Sequence, residues 1–540
     1  WISSGGTESN RRKGSKVGRK KIDILVIGSG VSGCTAAITA AQSGKSVLLL
    51  TKTQDPMEAN TRYAQGGIVT IGKGDTQKLL VKDIMKAGDG ISNPESVKII
   101  AEEASSAVEG FLIGEIGVEF SKESDGSLSY TREAAHSRRR VLHYYDMTGL
   151  EIQRKLIARV KAQKNITLLC DHTALDLITT HHNSKNPLMK YKKNLCLGAY
   201  ALNNRTREVH TLLADATIIA TGGIGRLYLH TTNPECATGD GISMAYRAGA
   251  EVTNMEYVQF HPTKLYTEEG TSFLISEAVR GEGGRLINKL GEAFMERYAP
   301  EWKDLAPRDE VTRAIYNEMA RTESNHVYLD IAHNKSKGIN IRERFPSIYE
   351  ECKRHKIDIE TEPIPVVPGE HYFCGGILID DGGRTTLRGL FAVGEASCSG
   401  IHGANRLASI SLLEGVVFGR RAGKAAMKPR VNRIYFSDIA DWEYPTNVKT
   451  TNNDPFLTLQ DWNNLKTTMW NYVGIIRTET RLTRAVSDLR NLYSRITDYY
   501  RDTDLTRAKV ELRNGIIVAQ CIAQFARRNR KTIGSHYIKE

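Results

Sequence analysis

Imidazole, guanidinium and carboxylate groups stand beside proline or glycine at several points in the second half of the chain. His261 precedes Pro262, Glu277 and Arg280 lead into a glycine-rich turn, and Arg308 follows Pro307. His371 and Arg406 then fall in the densest stretch, residues 371–415. This stretch joins a Gly-Gly pair, an apolar strand running into Gly394-Glu395, and His402, Asn405 and Arg406 ahead of a helix. A guanidinium fork suits bidentate binding of a carboxylate, and imidazole adds a donor. A strand that ends in glycine and an acid suits a cofactor lying against backbone. The chemistry on offer is anion binding next to a bound cofactor.

Such groups need a scaffold, and it starts early in the chain. Residues 22–27, IDILVI, form an apolar run of strand length that feeds into Gly28-Ser29-Gly30-Val31-Ser32-Gly33. An alanine-rich helix and a second apolar strand, SVLLLT, follow. In this setting the glycines permit a tight turn and close approach of a pyrophosphate to a helix N-terminus, which predicts a dinucleotide. The ribose-binding acid expected at the end of the second strand is replaced by Thr51-Lys52, so Lys52 is expected to serve the adenylate phosphate or ribose side. NTRYAQGG (60–67) again sets paired glycines after a polar loop, and ATIIATGG (216–223) is a strand ending in two glycines. Asp240 opens a helix, where an acid serves as a cap. His181 and His182 lie in a hydrophilic turn and, like the run Arg138-Arg139-Arg140, read as solvated.

Composition narrows the class. The chain has 540 residues, 40% hydrophobic and 25% charged, which implies a folded protein of several domains. Of the net charge of +12, residues 1–21 hold half, with seven Lys/Arg against Glu8. That segment reads as a disordered basic leader, either simply solvated or the remnant of an organelle-targeting sequence. The charge therefore argues weakly for a nucleic-acid binder, and no nucleic-acid or membrane partner is expected. No apolar run approaches the 18 residues of a membrane span. Eight cysteines without a CxxC pair point to free thiols, with no metal site.

NTRYAQGG, taken with the first unit, resembles the flavin loop of the fumarate reductase, succinate dehydrogenase and L-aspartate oxidase flavoprotein family. FHPT, SEAVRGEGG, LAPRDEV, PIPVVPGEHYFCGGI and GIHGANRLASISLLEG follow in the order of the L-aspartate oxidase blocks, and the resemblance covers residues 22–540. It implies an α/β fold: a Rossmann-like FAD-binding domain (22–253 and 371–428), an inserted α+β capping domain (254–370) and a C-terminal helical domain (429–540). It also implies FAD contacts at Gly28, Ser29, Gly30, Val31, Ser32, Gly33, Lys52, Asn60, Thr61, Gln65, Gly66, Gly67, Thr221, Gly222, Asp240, Glu395, Ser411 and Leu412. Respiratory members carry a flavin-linking His where this chain has Asn60, so FAD is expected to be non-covalent.

For the substrate, the resemblance implies a dicarboxylate held by Arg406, His261, His371 and Ser276. The resemblance marks Arg308 as proton carrier, the alternative being an ion-pair partner of Glu277 or Asp309, and His261 and Glu277 join it in the catalytic group. Glu133 is placed to meet the ammonium group of L-aspartate. It precedes Ala134-Ala135, where the family more usually has glycines, so methyl groups restrict that loop. The implied reaction is oxidation of L-aspartate to iminoaspartate with oxygen or fumarate as acceptor. It opens NAD biosynthesis through quinolinate, with quinolinate synthase as a transient partner, in the cytoplasm or a plastid or other organelle. The competing readings are a soluble fumarate reductase or succinate dehydrogenase flavoprotein subunit, and a flavin-binding subunit without catalysis.

Overall fold

A computed structural model describes residues 18–133, 135–333, 340–428, 433–443 and 454–539. Most of the basic leader, and Ala134, lie outside the described residues.

The run IDILVI lies in the strand Arg19–Ile27, which sits inside a seven-stranded sheet with Val47–Leu50 and Val209–Ile219 as its parallel neighbours. Being covered on both faces, its C-terminal half is buried without polar alternation. Leu390–Ala392 adds a further parallel strand beside Val209–Ile219. Three strands of this sheet therefore end together, at Ile27, Ile219 and Ala392, and each runs on into glycine.

The helix Val31–Ala41 is buried along its whole length. Its partner is the helix Ile410–Ala426, in which Gly415, Gly419 and Gly423 fall four residues apart on one face. A Cβ at Gly419 would lie 2.9 Å from the Ser32 carbonyl oxygen, and one at Gly423 would lie 2.7 Å from that of Ala36. The glycines let the two backbones touch, which brings Ser411 and Leu412 to the glycine loop after residue 27.

Between the two passages through this sheet lies a four-stranded antiparallel sheet, ordered Val258–Leu265, Ile364–Phe373, Val327–Asp330 and Arg285–Ile287. It has its own apolar core, which includes Leu286, Phe294, Ile315 and Ile348. The helix Arg308–Arg321 packs beside it. Helices Pro455–Val473, Glu479–Asp502 and Arg507–Arg528 form the C-terminal part. All eight cysteines are unpaired, and all but Cys170 and Cys236 are buried.

Two expectations from sequence change. Arg138 and Arg139 are exposed, but Arg140 is completely buried between Asp75 and Asp83. A run of like charge conceals which member turns inward. Asp240 is the first residue inside the helix Asp240–Arg247, while Gly239, with φ +74°, takes the capping position. The Asp240 carboxylate caps nothing. It bonds instead to Lys52 at 2.6 Å, Thr238 at 2.9 Å and Asn514 at 2.9 Å.

Candidate active site

A cavity of about 640 Å³ runs between the large sheet and the smaller one. Its wall includes every residue expected from sequence to hold cofactor or substrate, except Gly33. Gly33 stands behind the wall, where a Cβ would come within 1.9 Å of the Gly28 carbonyl oxygen. Its role is to seat the helix Val31–Ala41 against the strand end.

At one end of the cavity, Gly28 adopts φ +114° and presses against Ala220, where any side chain would collide with backbone. Gly30 and the N-terminus of the helix Val31–Ala41 open onto the cavity. Thr61 Oγ1 accepts from the Val31 N–H at 3.0 Å and so ties the second loop to the first. Lys52 contacts Asp240 at 2.6 Å and Glu511 at 2.9 Å. Burial pushes the Asp240 carboxyl up, but the adjacent Lys52 ammonium outweighs this and holds it below its ordinary value.

Along the middle of the cavity, Asn60 donates to Glu395 at 3.0 Å and also to Asn233. Glu395 further accepts from the Phe373 N–H at 3.0 Å, and burial pushes its carboxyl up to about 7. Gln65 Oε1 is buried with no protein partner, an acceptor on the cavity wall left for a ligand donor. The glycine cradle, the helix N-terminus and this unmet acceptor together fit an extended dinucleotide with a polar ring system at its far end.

At the other end the groups suited to anions converge. Arg406 stacks on Tyr372, its guanidinium carbon 4.5 Å from the ring centre, and donates to Gln259 and Ser411 at 3.1 Å each. His261 and His371 face each other with ring centres 5.2 Å apart. His261 Nδ1 accepts from the Thr263 N–H at 3.2 Å, which leaves Nε2 to carry the proton when the ring is neutral. Burial, with Arg308 and Arg406 nearby, holds both imidazoles well below their ordinary 6.5. Arg308 Nε donates to Glu277 at 2.6 Å, while its Nη1 is buried without a partner. Asp309 pairs instead with Arg313 at 2.8 Å. Burial raises the Glu277 carboxyl, and Arg308 and Arg280 more than offset it, so the group is held ionised. Ser276 caps the short helix Glu277–Gly281 through its hydroxyl.

Glu133 also lines the cavity. Its carboxylate accepts from Ser409 Oγ at 2.7 Å, and that hydroxyl accepts from the Gly67 N–H at 3.1 Å. Sequence reasoning does not single out Ser409, Gln259, Tyr372, Thr232 or Asn233. Gln259 is within its reach, since it stands two residues before His261 on the same strand and alternation puts the pair on one face. Ser409, in the left-handed region at φ +58°, gives no local signal.

A family profile described as "FAD binding domain" matches residues 23–412, and one described as "Fumarate reductase flavoprotein C-term" matches residues 462–540. Among solved structures, E. coli quinol fumarate reductase FrdA superposes with a TM-score of 0.85 at 29% identity, over 97% of this chain and 92% of that one. Mycobacterium smegmatis Sdh1 gives 0.80 at 30% identity, over 97% and 89%. Fold and site thus define an FAD-dependent oxidoreductase of the fumarate reductase flavoprotein class, with FAD as its cofactor. The L-aspartate oxidase of Pseudomonas aeruginosa is 40% identical over 95% of this chain and 94% of its own length. That of Halobacterium salinarum is 42% identical over 95% and 96%. "L-aspartate oxidase 2-b, chloroplastic" of Nicotiana tabacum is 37% identical over 99% and 84%. The chain belongs to the L-aspartate oxidase family. Among the described residues, no helix is long and apolar enough to cross a membrane.

Proposed function

We propose that the protein oxidises L-aspartate to iminoaspartate and passes the electrons to oxygen, giving hydrogen peroxide, or to fumarate, giving succinate. The observation that carries this reading is Glu133. Its carboxylate lies on the wall of the cavity that also holds Arg406 and Arg308, is held by Ser409, and suits a substrate bearing an ammonium as well as two carboxylates. Arg406 holds one carboxylate bidentately, and the neutral imidazoles of His261 and His371, with the Ser276 hydroxyl, donate to the other. Arg308 carries the proton, with Glu277 keeping its guanidinium oriented at 2.6 Å. FAD, when bound, supplies the hydride acceptor. Gly28 to Ser32, Lys52, Asn60, Thr61, Gln65 to Gly67, Thr221, Gly222, Asp240, Glu395, Ser411 and Leu412 hold it. The amide of Asn60 offers no nucleophile for a covalent link. The imine product feeds quinolinate and NAD synthesis, with quinolinate synthase its transient recipient. The compartment is the cytoplasm or, as the name of the tobacco relative suggests, a plastid.

The test is anaerobic. L-Aspartate should bleach the oxidised flavin, and air should restore it with release of peroxide. Arg308→Leu should lose nearly all turnover with FAD still bound. The likeness to solved fumarate reductase keeps one alternative, a soluble fumarate reductase, and bleaching by succinate but not by L-aspartate would decide for it.

A further inference from the structure

The buried Arg140 stands apart from the cavity, yet it is tied to the one loop on which the proposed substrate choice depends. Tyr130–Thr131 and Val141–Leu142 pair as antiparallel strands, and the Arg140 N–H donates to the Thr131 carbonyl at 3.2 Å. Glu133 stands two residues after Thr131, between these strands. The His136 N–H donates to the Glu133 carbonyl at 3.2 Å, closing a turn. Ala135 adopts φ +65° in this turn, a region that a side chain disfavours and glycine tolerates. The turn that presents Glu133 is therefore not one its own backbone prefers, and something outside it must hold it in place.

The holding contacts lie immediately after the turn. Ser137 donates from both its N–H and its hydroxyl to Asp83 Oδ2, at 2.8 and 2.7 Å. Asp83 projects from the helix Gln77–Ala87 and is also ion-paired with Arg140 Nη1 at 2.8 Å. Asp75, ahead of that helix, accepts from Arg140 Nη2 at 2.9 Å. On the other side His136 Nε2 bonds the Ala408 carbonyl at 3.0 Å, next to the Ser409 that touches Glu133. Arg140 and Asp75 have no exposed side-chain surface, and Asp83 has 9%. In so dry a setting the pair geometry is held far more firmly than in a surface ion pair. None of the three lines the cavity.

We infer that Asp83, Arg140 and Asp75 are positioning residues that clamp the strained turn carrying Glu133, and that selection for an ammonium-bearing dicarboxylate over a plain one depends on this clamp. The inference rests on the reading of Glu133 under the proposed function. No side-chain hydrogen bond or ion pair of Asp75, Asp83 or Arg140 reaches Arg406, His261, His371 or Ser276 among the described residues. Loosening the clamp should therefore weaken recognition of the ammonium while sparing recognition of the carboxylates.

The experiment uses the FAD-loaded enzyme and compares the KM for L-aspartate with the inhibition constant of succinate, which lacks the ammonium. Asp83→Asn should raise the KM for L-aspartate about tenfold, the scale expected when a recognition group is displaced by a fraction of an ångström. The succinate constant and the dissociation constant of FAD should stay within about twofold. Ser137→Ala removes only the hydroxyl contacts, keeps the buried ion pairs and therefore the fold, and should shift the same ratio by about threefold. Equal rises in both constants, weakened FAD binding in step with them, or no change in either variant would overturn the clamp. Glu133→Gln serves as the reference. If it leaves the ratio of the two constants unchanged, the reading of Glu133 itself fails. If it moves the ratio while Asp83→Asn and Ser137→Ala do not, only the clamp fails.

Discussion

His261 and His371 show how burial sets the chemistry of a side chain. Both stand among guanidiniums in a dry pocket, and both are held well below their ordinary 6.5, first by burial and then by the nearby cations, Arg308 and Arg406 among them. A neutral imidazole that presents one N–H suits donation to a carboxylate without competing for the proton that the proposed mechanism assigns to Arg308. The effect on stability has a definite sign. The unfolded chain takes up protons at these residues as pH falls through about 6.5 and the folded chain does not, so their contribution to stability declines below that pH. The holoenzyme without dicarboxylate should lose more of its Tm between pH 7.5 and 5.5 than His371→Asn does. Parallel melting curves for the two across this range would show that the imidazole is not held neutral. The Glu277 carboxylate lies at the opposite extreme, held ionised against Arg308 at 2.6 Å, because two cations outweigh its burial.

Among elements, the contact between the helices Val31–Ala41 and Ile410–Ala426 does most to assemble the site. It depends on Gly415, Gly419 and Gly423, whose missing side chains let backbone meet backbone. Gly419→Ala would place a methyl 2.9 Å from the Ser32 carbonyl oxygen and 3.1 Å from Thr35 Cβ. The helices must part to admit it, at about 1–3 kcal/mol for overpacking of this kind. Calorimetry should show a Tm lower by several degrees, and fluorescence titration should show weaker FAD binding, since Ser32 and Ser411 move apart. Gly423→Ala, one turn further from the glycine loop, should destabilise comparably with a smaller loss of FAD affinity. Equal FAD affinity in wild type and Gly419→Ala would show that the seam does not set the cofactor loop.

Across the whole molecule, the C-terminal helix Arg507–Arg528 reaches back to the start of the chain. Glu511 meets Lys52 at 2.9 Å and Asn514 meets Asp240 at 2.9 Å, so the last helix completes the lysine–aspartate pair at one end of the cavity. Lys52 keeps Asp240 when Glu511 is neutralised, which bounds the effect. Glu511→Gln should weaken FAD binding by about tenfold, or ~1.4 kcal/mol, in a titration of apoprotein. An unchanged dissociation constant would confine that helix to a role in packing.

Much of this protein is legible in its amino-acid sequence. The glycine fingerprint between a buried strand and a helix, the flavin-loop glycines and the runs around His261, Arg308, His371 and Arg406 each rest on local rules. A turn that only glycine can make, or a strand buried on both faces, leaves its mark in consecutive residues. Three facts are not local. Arg140 is the buried member of a basic run, because Asp75 and Asp83 approach it from another element. Asp240 is an ion-pair partner, because Lys52 lies across the fold. Ser409 holds Glu133 because the helix that follows it is seated on a glycine seam. Sequence by itself thus determined the cofactor fold and most of the cavity wall. Only tertiary structure decided which charges are paired and what holds the Glu133 carboxylate in place, because those energies belong to groups brought together from distant parts of the chain.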